Sequence, residues 1–191
     1  MKTLARIVLA AAAVILLSVP VMAQNNKKTY KVGAIPKSAA ELQSLSIYNL
    51  KDPFCTAALT VIAFAAYETS PEACYEMLDV LNGPTDWSAY DKSFCKNQFA
   101  QYPYVARSYF AGATVANNYK PTVPYTVTVS DNPNSRIGGD DFITLYIKSA
   151  GADNPRAVSF RRKPSTGEWF VTGYNGLLAG IRKPAADDPW Y

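Results

Sequence analysis

Between Tyr125 and Tyr174 four short strand-like runs follow one another with links too brief to hold a packed helix, which limits how this half of the chain can fold. The runs are Tyr125 to Ser130, Phe142 to Lys148, Ala157 to Lys163 and Glu168 to Tyr174. Their links carry turn chemistry: Asp131-Asn132-Pro133 through Gly138-Gly139, Gly151 through Pro155, and Pro164-Ser165-Thr166-Gly167. Parallel neighbours need a long crossover, usually a helix, so these strands pair antiparallel in a meander. Successive side chains of a strand point to opposite faces. Val127, Val129, Ile143, Leu145, Ile147, Val158, Phe160, Trp169 and Val171 therefore form an apolar face that must be covered. Thr126, Thr128, Thr144, Tyr146, Lys148, Ser159, Arg161, Phe170 and Thr172 face water or a partner.

The first half is helical and supplies the cover. Ser38 with Glu41 three residues on is a capping box, predicting a short helix from Ala39 to about Ile47. Asp52-Pro53 is an N-cap followed by proline at the first helical position, where its missing N–H costs nothing. The helix it opens, to about Tyr67, is apolar on nearly every face and so is read as a buried central helix. Ser70-Pro71-Glu72 starts a third helix that Asn82-Gly83-Pro84 stops, and Ser88 with Asp91 opens a fourth, to about Gln101. Short helical turns are expected at Val105 to Phe110 and Gly176 to Ile181. The fold class is thus α+β, an N-terminal helical half packed on one face of a four-stranded antiparallel meander.

Ahead of this lies a leader. Lys2 and Arg6 precede an apolar run from Ile7 to Leu17, and Val21-Met22-Ala23 offers small-residue cleavage chemistry before Gln24. The run is far short of the roughly 20 residues that span a bilayer, so residues 1–23 read as a signal peptide and no membrane span is expected after cleavage. The expected location is exported, periplasmic or extracellular. Residues 24–37 read as a flexible arm and 38–191 as a single domain.

At Arg107-Ser108-Tyr109-Phe110, Asn117-Asn118-Tyr119-Lys120-Pro121 with Pro124-Tyr125, Lys148 through Arg156, Ile181-Arg182-Lys183-Pro184 and Asp187-Asp188-Pro189-Trp190, the chain resembles an uncharacterised family of bacterial secreted domains of unknown function, number 6935. The resemblance covers about Ser38 to Trp190. It implies one domain and transfers no functional residue.

Absences narrow the chemistry further. The chain has no histidine. Serine and cysteine nucleophiles most often need an imidazole base, and most zinc sites need imidazole ligands. Three cysteines cannot make an all-cysteine zinc site. No cofactor or metal is expected and no catalytic residue is assigned. The net charge of +4 includes Lys2 and Arg6, and Arg161-Arg162-Lys163 splits between two strand faces, so nucleic acid is not an expected partner. Asp140-Asp141 and Asp187-Asp188 fit turn and cap roles and lack the series of oxygen ligands that calcium requires.

Export would expose Cys55, Cys74 and Cys95 to oxidant. If the third and fourth helices form an antiparallel hairpin at Gly83-Pro84, Cys74 and Cys95 are equidistant from the turn and form the natural disulfide, leaving Cys55 free. Three reduced, buried thiols are an equal alternative. The surface singled out for ligand binding is the polar sheet face, where Tyr146, Lys148, Arg161 and Phe170 combine aromatic surface with cationic donors. The fallback is Asn117, Asn118 and Tyr119 in the long loop before the strands. An ordinary solvated face of good strand formers explains the same residues. Two functions fit: a non-catalytic module binding an envelope glycan, peptide or protein, or a histidine-free enzyme using Asp, Glu, Lys or Tyr in a cleft beside the sheet.

Overall fold

The computed structural model describes residues 25–85 and 87–191, so the leader reading lies outside the described residues. The chain forms helices and a five-stranded antiparallel sheet that curls as a half-barrel. The strands are β1 (Lys27–Val32), β2 (Tyr125–Ser130), β3 (Phe142–Ile147), β4 (Arg156–Lys163) and β5 (Glu168–Gly173), in spatial order 1-2-3-4-5. The helices are α1 (Ala39–Ser44), α2 (Pro53–Ala65), α3 (Pro71–Asn82), α4 (Ala89–Gln101) and α5 (Asn175–Leu178).

The fifth strand corrects the sequence reading, which expected four strands and a flexible arm at 24–37. Lys27–Val32 pairs along its length with β2, from Lys27 opposite Ser130 to Val32 opposite Tyr125. Only Tyr30 and Val32 supply an apolar face, which is too little alternation to see among the lysines. The inner side is anchored by polar groups as well: the Tyr30 hydroxyl donates to Asp52 Oδ2 at 2.8 Å, and Lys28 Nζ lies 2.9 Å from the same oxygen. On the outer side the Thr29 and Thr128 hydroxyls meet at 3.0 Å. Lysines on an edge strand also discourage pairing with another chain.

Every residue of the predicted apolar face is buried. At roughly 1.5–3 kcal/mol for each large side chain removed from water, that face is the main driving force for closing the sheet over the helices. The cover is α2, which touches β1, β2, β3 and β5 and is buried from Pro53 to Phe64. Asp52 caps it by accepting from the Phe54 N–H. Its threonines stay dry by bonding to carbonyls, Thr60 Oγ1 donating to Thr56 O at 2.8 Å.

The three cysteines are free and buried, and Cys74 and Cys95 do not approach to disulfide distance. The expected Cys74–Cys95 disulfide is not formed, and aromatic rings pack between parts of α3 and α4. Tyr67 stacks on Phe99 at 4.4 Å and meets Tyr75 edge-on, while Trp87 stacks on Tyr174 at 5.1 Å. Burial pushes the Cys55 thiol up to about 11 and the Cys95 thiol to about 12. Such thiols stay protonated at neutral pH and are poor nucleophiles.

One segment departs from regular structure in a way that shapes the surface. Strands β2 and β3 pair only at Val129–Ile147 and Ser130–Tyr146, then splay. The chain at Ser108 to Ala111 fills the opening: the Ala150 N–H donates to Ser108 O and the Ala111 N–H to Thr126 O, both at 2.9 Å.

Candidate functional site

The register divides the polar sheet face into two places. Phe142 on β3 stands opposite Arg161 on β4, and Arg161 opposite Phe170 on β5, so the three form one row across three strands. Arg161 lies over the Phe142 ring at 5.4 Å from its centroid. Tyr146 is four positions further along β3, opposite Ala157, which at ~3.3 Å per residue is about 13 Å away. Tyr146 and Arg161 share a direction but not a site.

Beside the row lies a cleft of about 210 Å³, walled by Asn82, Pro84 and Thr85 on one side and Arg161, Lys163 and Pro164 on the other, with Phe170 and Thr172 between. The half-buried Phe170 ring packs on Gly83, the residue that ends α3 at φ +72°. A Cβ there would collide with the ring and adopt a strained backbone, so glycine both stops the helix and admits the aromatic. Arg162 is committed elsewhere, its Nε donating to Asp141 Oδ1 at 2.8 Å and its guanidinium lying over Trp169. Among the described residues no carboxylate lines this cleft. Its described charged residues are all cationic, and Pro84, Pro164 and Phe170 give it apolar surface.

Lys148 borders a different hollow of about 430 Å³, where β2 and β3 splay. Its lining includes two buried serines, Ser149 Oγ donating to Ser108 Oγ and Ser108 Oγ to Val105 O, each at 2.7 Å. These hydroxyls are fully engaged and have no imidazole to activate them, so they staple the wedge in place.

The fallback residues are also structural. The Asn117 side chain binds its own loop, accepting from the N–H groups of Thr114 and Lys120 and donating to Gly112 O. Asn118 Oδ1 accepts from Ala186 N–H at 2.9 Å. Tyr119 is fully buried, stacks on Tyr104 and donates its hydroxyl to Arg182 O at 2.8 Å. Tyr119 is thus enclosed, while Asn117 and Asn118 are half-buried with their side chains bonded within the protein.

A second cleft was missed from sequence. It measures about 390 Å³ and is lined by Gly33 to Ile35, Lys37, Ala65, Glu68, Thr69, Arg107, Phe110, Pro121, Val123 and Tyr125. Most of this wall is apolar, and Val123 at its edge is 66 % exposed. Glu68 Oε1 sits 2.8 Å from Arg107 Nε, both side chains being about one-third exposed. The approach is off the N–H direction, so it is an ion pair rather than an aligned hydrogen bond, and the buried Nε–H has no acceptor. Burial raises the Glu68 carboxyl above its ordinary value, against the lowering effect of Arg107. A signal for this pair does exist in the sequence: Glu68 is the lone charge between Asp52 and Glu72, and Arg107 the lone charge between Lys96 and Lys120.

Among the described residues no group of three or more His, Cys, Asp or Glu side chains is placed to hold a metal ion, and no helix is long and apolar enough to cross a membrane. Residues 34–185 match a family described as a domain of unknown function, DUF6935. No curated protein and no solved structure matches the chain.

Proposed function

The chain belongs to a family of domains of unknown function, DUF6935, and from its geometry we propose an exported, non-catalytic binding module that holds an anionic envelope glycan, peptide or protein segment at the Arg161 end of its sheet. The observation that carries this reading is the row Phe142, Arg161, Phe170 beside a cleft without a described carboxylate. Packing against Phe142 restricts Arg161 before any ligand arrives, which lowers the entropy lost on binding. A guanidinium gives a carboxylate or sulfate two parallel charge-assisted hydrogen bonds, and Lys163 adds a second cation. Phe170, Pro84 and Pro164 offer apolar surface to the uncharged part of the same ligand.

Export is supported by the basic, apolar and small-residue order of the leader. Intact mass of secreted protein tests it: a chain starting at Gln24 is expected, and one retaining residues 1–23 would overturn it.

The binding reading is tested by thermal shift with uronic-acid oligosaccharides and acidic peptides. A ligand at 100 times its Kd stabilises the folded state by about 2.7 kcal/mol. Arg161→Ala should abolish the response and Tyr146→Ala should leave it intact. Equal loss in both, or no response from any acidic probe in the parent protein, counts against this site.

A histidine-free enzyme is the second reading, favoured by one observation: burial raises the Glu68 carboxyl, and such groups gather where protons are moved. Its pairing with Arg107 suits holding a ligand better than transferring a proton.

A further inference from the structure

We propose that the cleft between Ile35, Phe110 and Val123 is a second ligand site, specific for a small apolar carboxylate whose head pairs with Arg107. This goes beyond the sheet-face reading and uses none of its residues. Three observations carry it. The wall is chiefly apolar, with Ile35, Ala65, Phe110, Pro121, Val123 and Tyr125 around about 390 Å³, within the size range of small-molecule sites. Val123, an apolar residue left 66 % exposed, extends that surface to the edge of the cleft. Finally, Arg107 is incompletely served by the protein. Glu68 approaches its Nε at 2.8 Å but off axis, and the buried Nε–H has no acceptor.

The charges select the sign of the ligand. Arg107 and Lys37 line the cleft against the single carboxylate of Glu68, leaving one positive charge over. Glu68 holds the guanidinium at Nε, and a carboxylate that reaches its two outer nitrogens would be received by two parallel hydrogen bonds. The apolar walls then require the remainder of the ligand to be aliphatic or aromatic. A polar anion such as inorganic phosphate would leave those walls wet and should bind poorly.

Octanoate is the probe, with octanamide as its uncharged counterpart, measured by calorimetric titration on the chain beginning at Gln24. Octanoate should bind at least tenfold more tightly than octanamide. Arg107→Gln should weaken octanoate at least tenfold and leave octanamide unchanged, while Glu68→Gln, which removes the competing anion, should tighten octanoate. Because changing Arg107 also removes the partner of Glu68, Val123→Asp provides an independent check. It places a negative charge on an exposed residue beside the cleft and should weaken octanoate with the unliganded melting temperature unchanged. Equal affinity for octanoate and octanamide, no binding of either at millimolar concentration, or an octanoate affinity indifferent to both Arg107→Gln and Val123→Asp would overturn the proposal.

Discussion

The two clefts are built in opposite ways. The one at Arg161 is drawn chiefly from β4, β5 and the turn after α3, so its composition follows from strand alternation and one glycine. The one at Arg107 is assembled from four separate stretches, near residues 35, 67, 108 and 123. The first displays its charge on a wall that loses little if a side chain is cut away. The second keeps an ion pair partly out of water, where the same cut exposes an imbalance. Function at the first can change with little cost in stability, whereas at the second the two are coupled.

The sharpest attempt to break this contrast is Gly83→Val. The tolerant cleft has one intolerant point, because that residue would carry a strained backbone and drive into Phe170. A loss of about 2–4 kcal/mol is expected in urea unfolding, from overpacking together with the positive φ. A midpoint within error of the parent would show that Phe170 is not held by Gly83.

Next in size is Arg107→Ala, which leaves Glu68 partly buried without its partner. Both groups are about one-third exposed, so solvent screens much of the penalty, and about 1–2 kcal/mol is expected rather than the larger cost of a fully buried pair. Thermal unfolding at neutral pH measures it.

A subtler difference is pH dependence. The folded pKa of Glu68 lies above its unfolded value, so the folded state holds that proton more tightly. The stability from this linkage is fully present below the ordinary value of 4.5 and is lost as pH rises through the raised folded value. Glu68→Gln should therefore flatten the stability profile in that window. An unaltered profile would mean that the carboxyl is not shifted by its surroundings. Smallest of all is Arg161→Ala, expected to move stability by under about 0.5 kcal/mol. A loss as large as that of Arg107→Ala would erase the distinction between the clefts.

What the sequence makes legible follows from the range of the interaction. Caps such as Ser38, Asp52, Ser70 and Ser88 act within a turn of their helices and are used as read. Alternation sorted every inward residue of β2 to β5 because its period is local. Register is a relation between strands, which is why Tyr146 was grouped with Arg161 although it lies opposite Ala157. β1 escaped because Tyr30 and Val32 are its whole apolar signal and its partner lies far along the chain. The α3–α4 spacing escaped because Tyr67 and Trp87, which help hold the helices apart, lie outside both. Arg107 and Glu68 were visible as solitary charges, but nothing local says that two solitary charges meet.

The bonds that seal the loop before the sheet come from residues that follow β5. Tyr109 donates to Leu177 O and Tyr119 to Arg182 O, while Ala185 N–H reaches Val115 O. β1, near the start, waits for a partner about a hundred positions later. Because loop-closure entropy is lost before such distant contacts repay it, these joints form late and slowly. Leu177 and Arg182 follow Tyr109 and Tyr119 by 68 and 63 positions, so both hydroxyls lack their acceptors until that later stretch has been made. The loop in front of the sheet is therefore closed from a distance, and takes its final shape only with that later stretch in place.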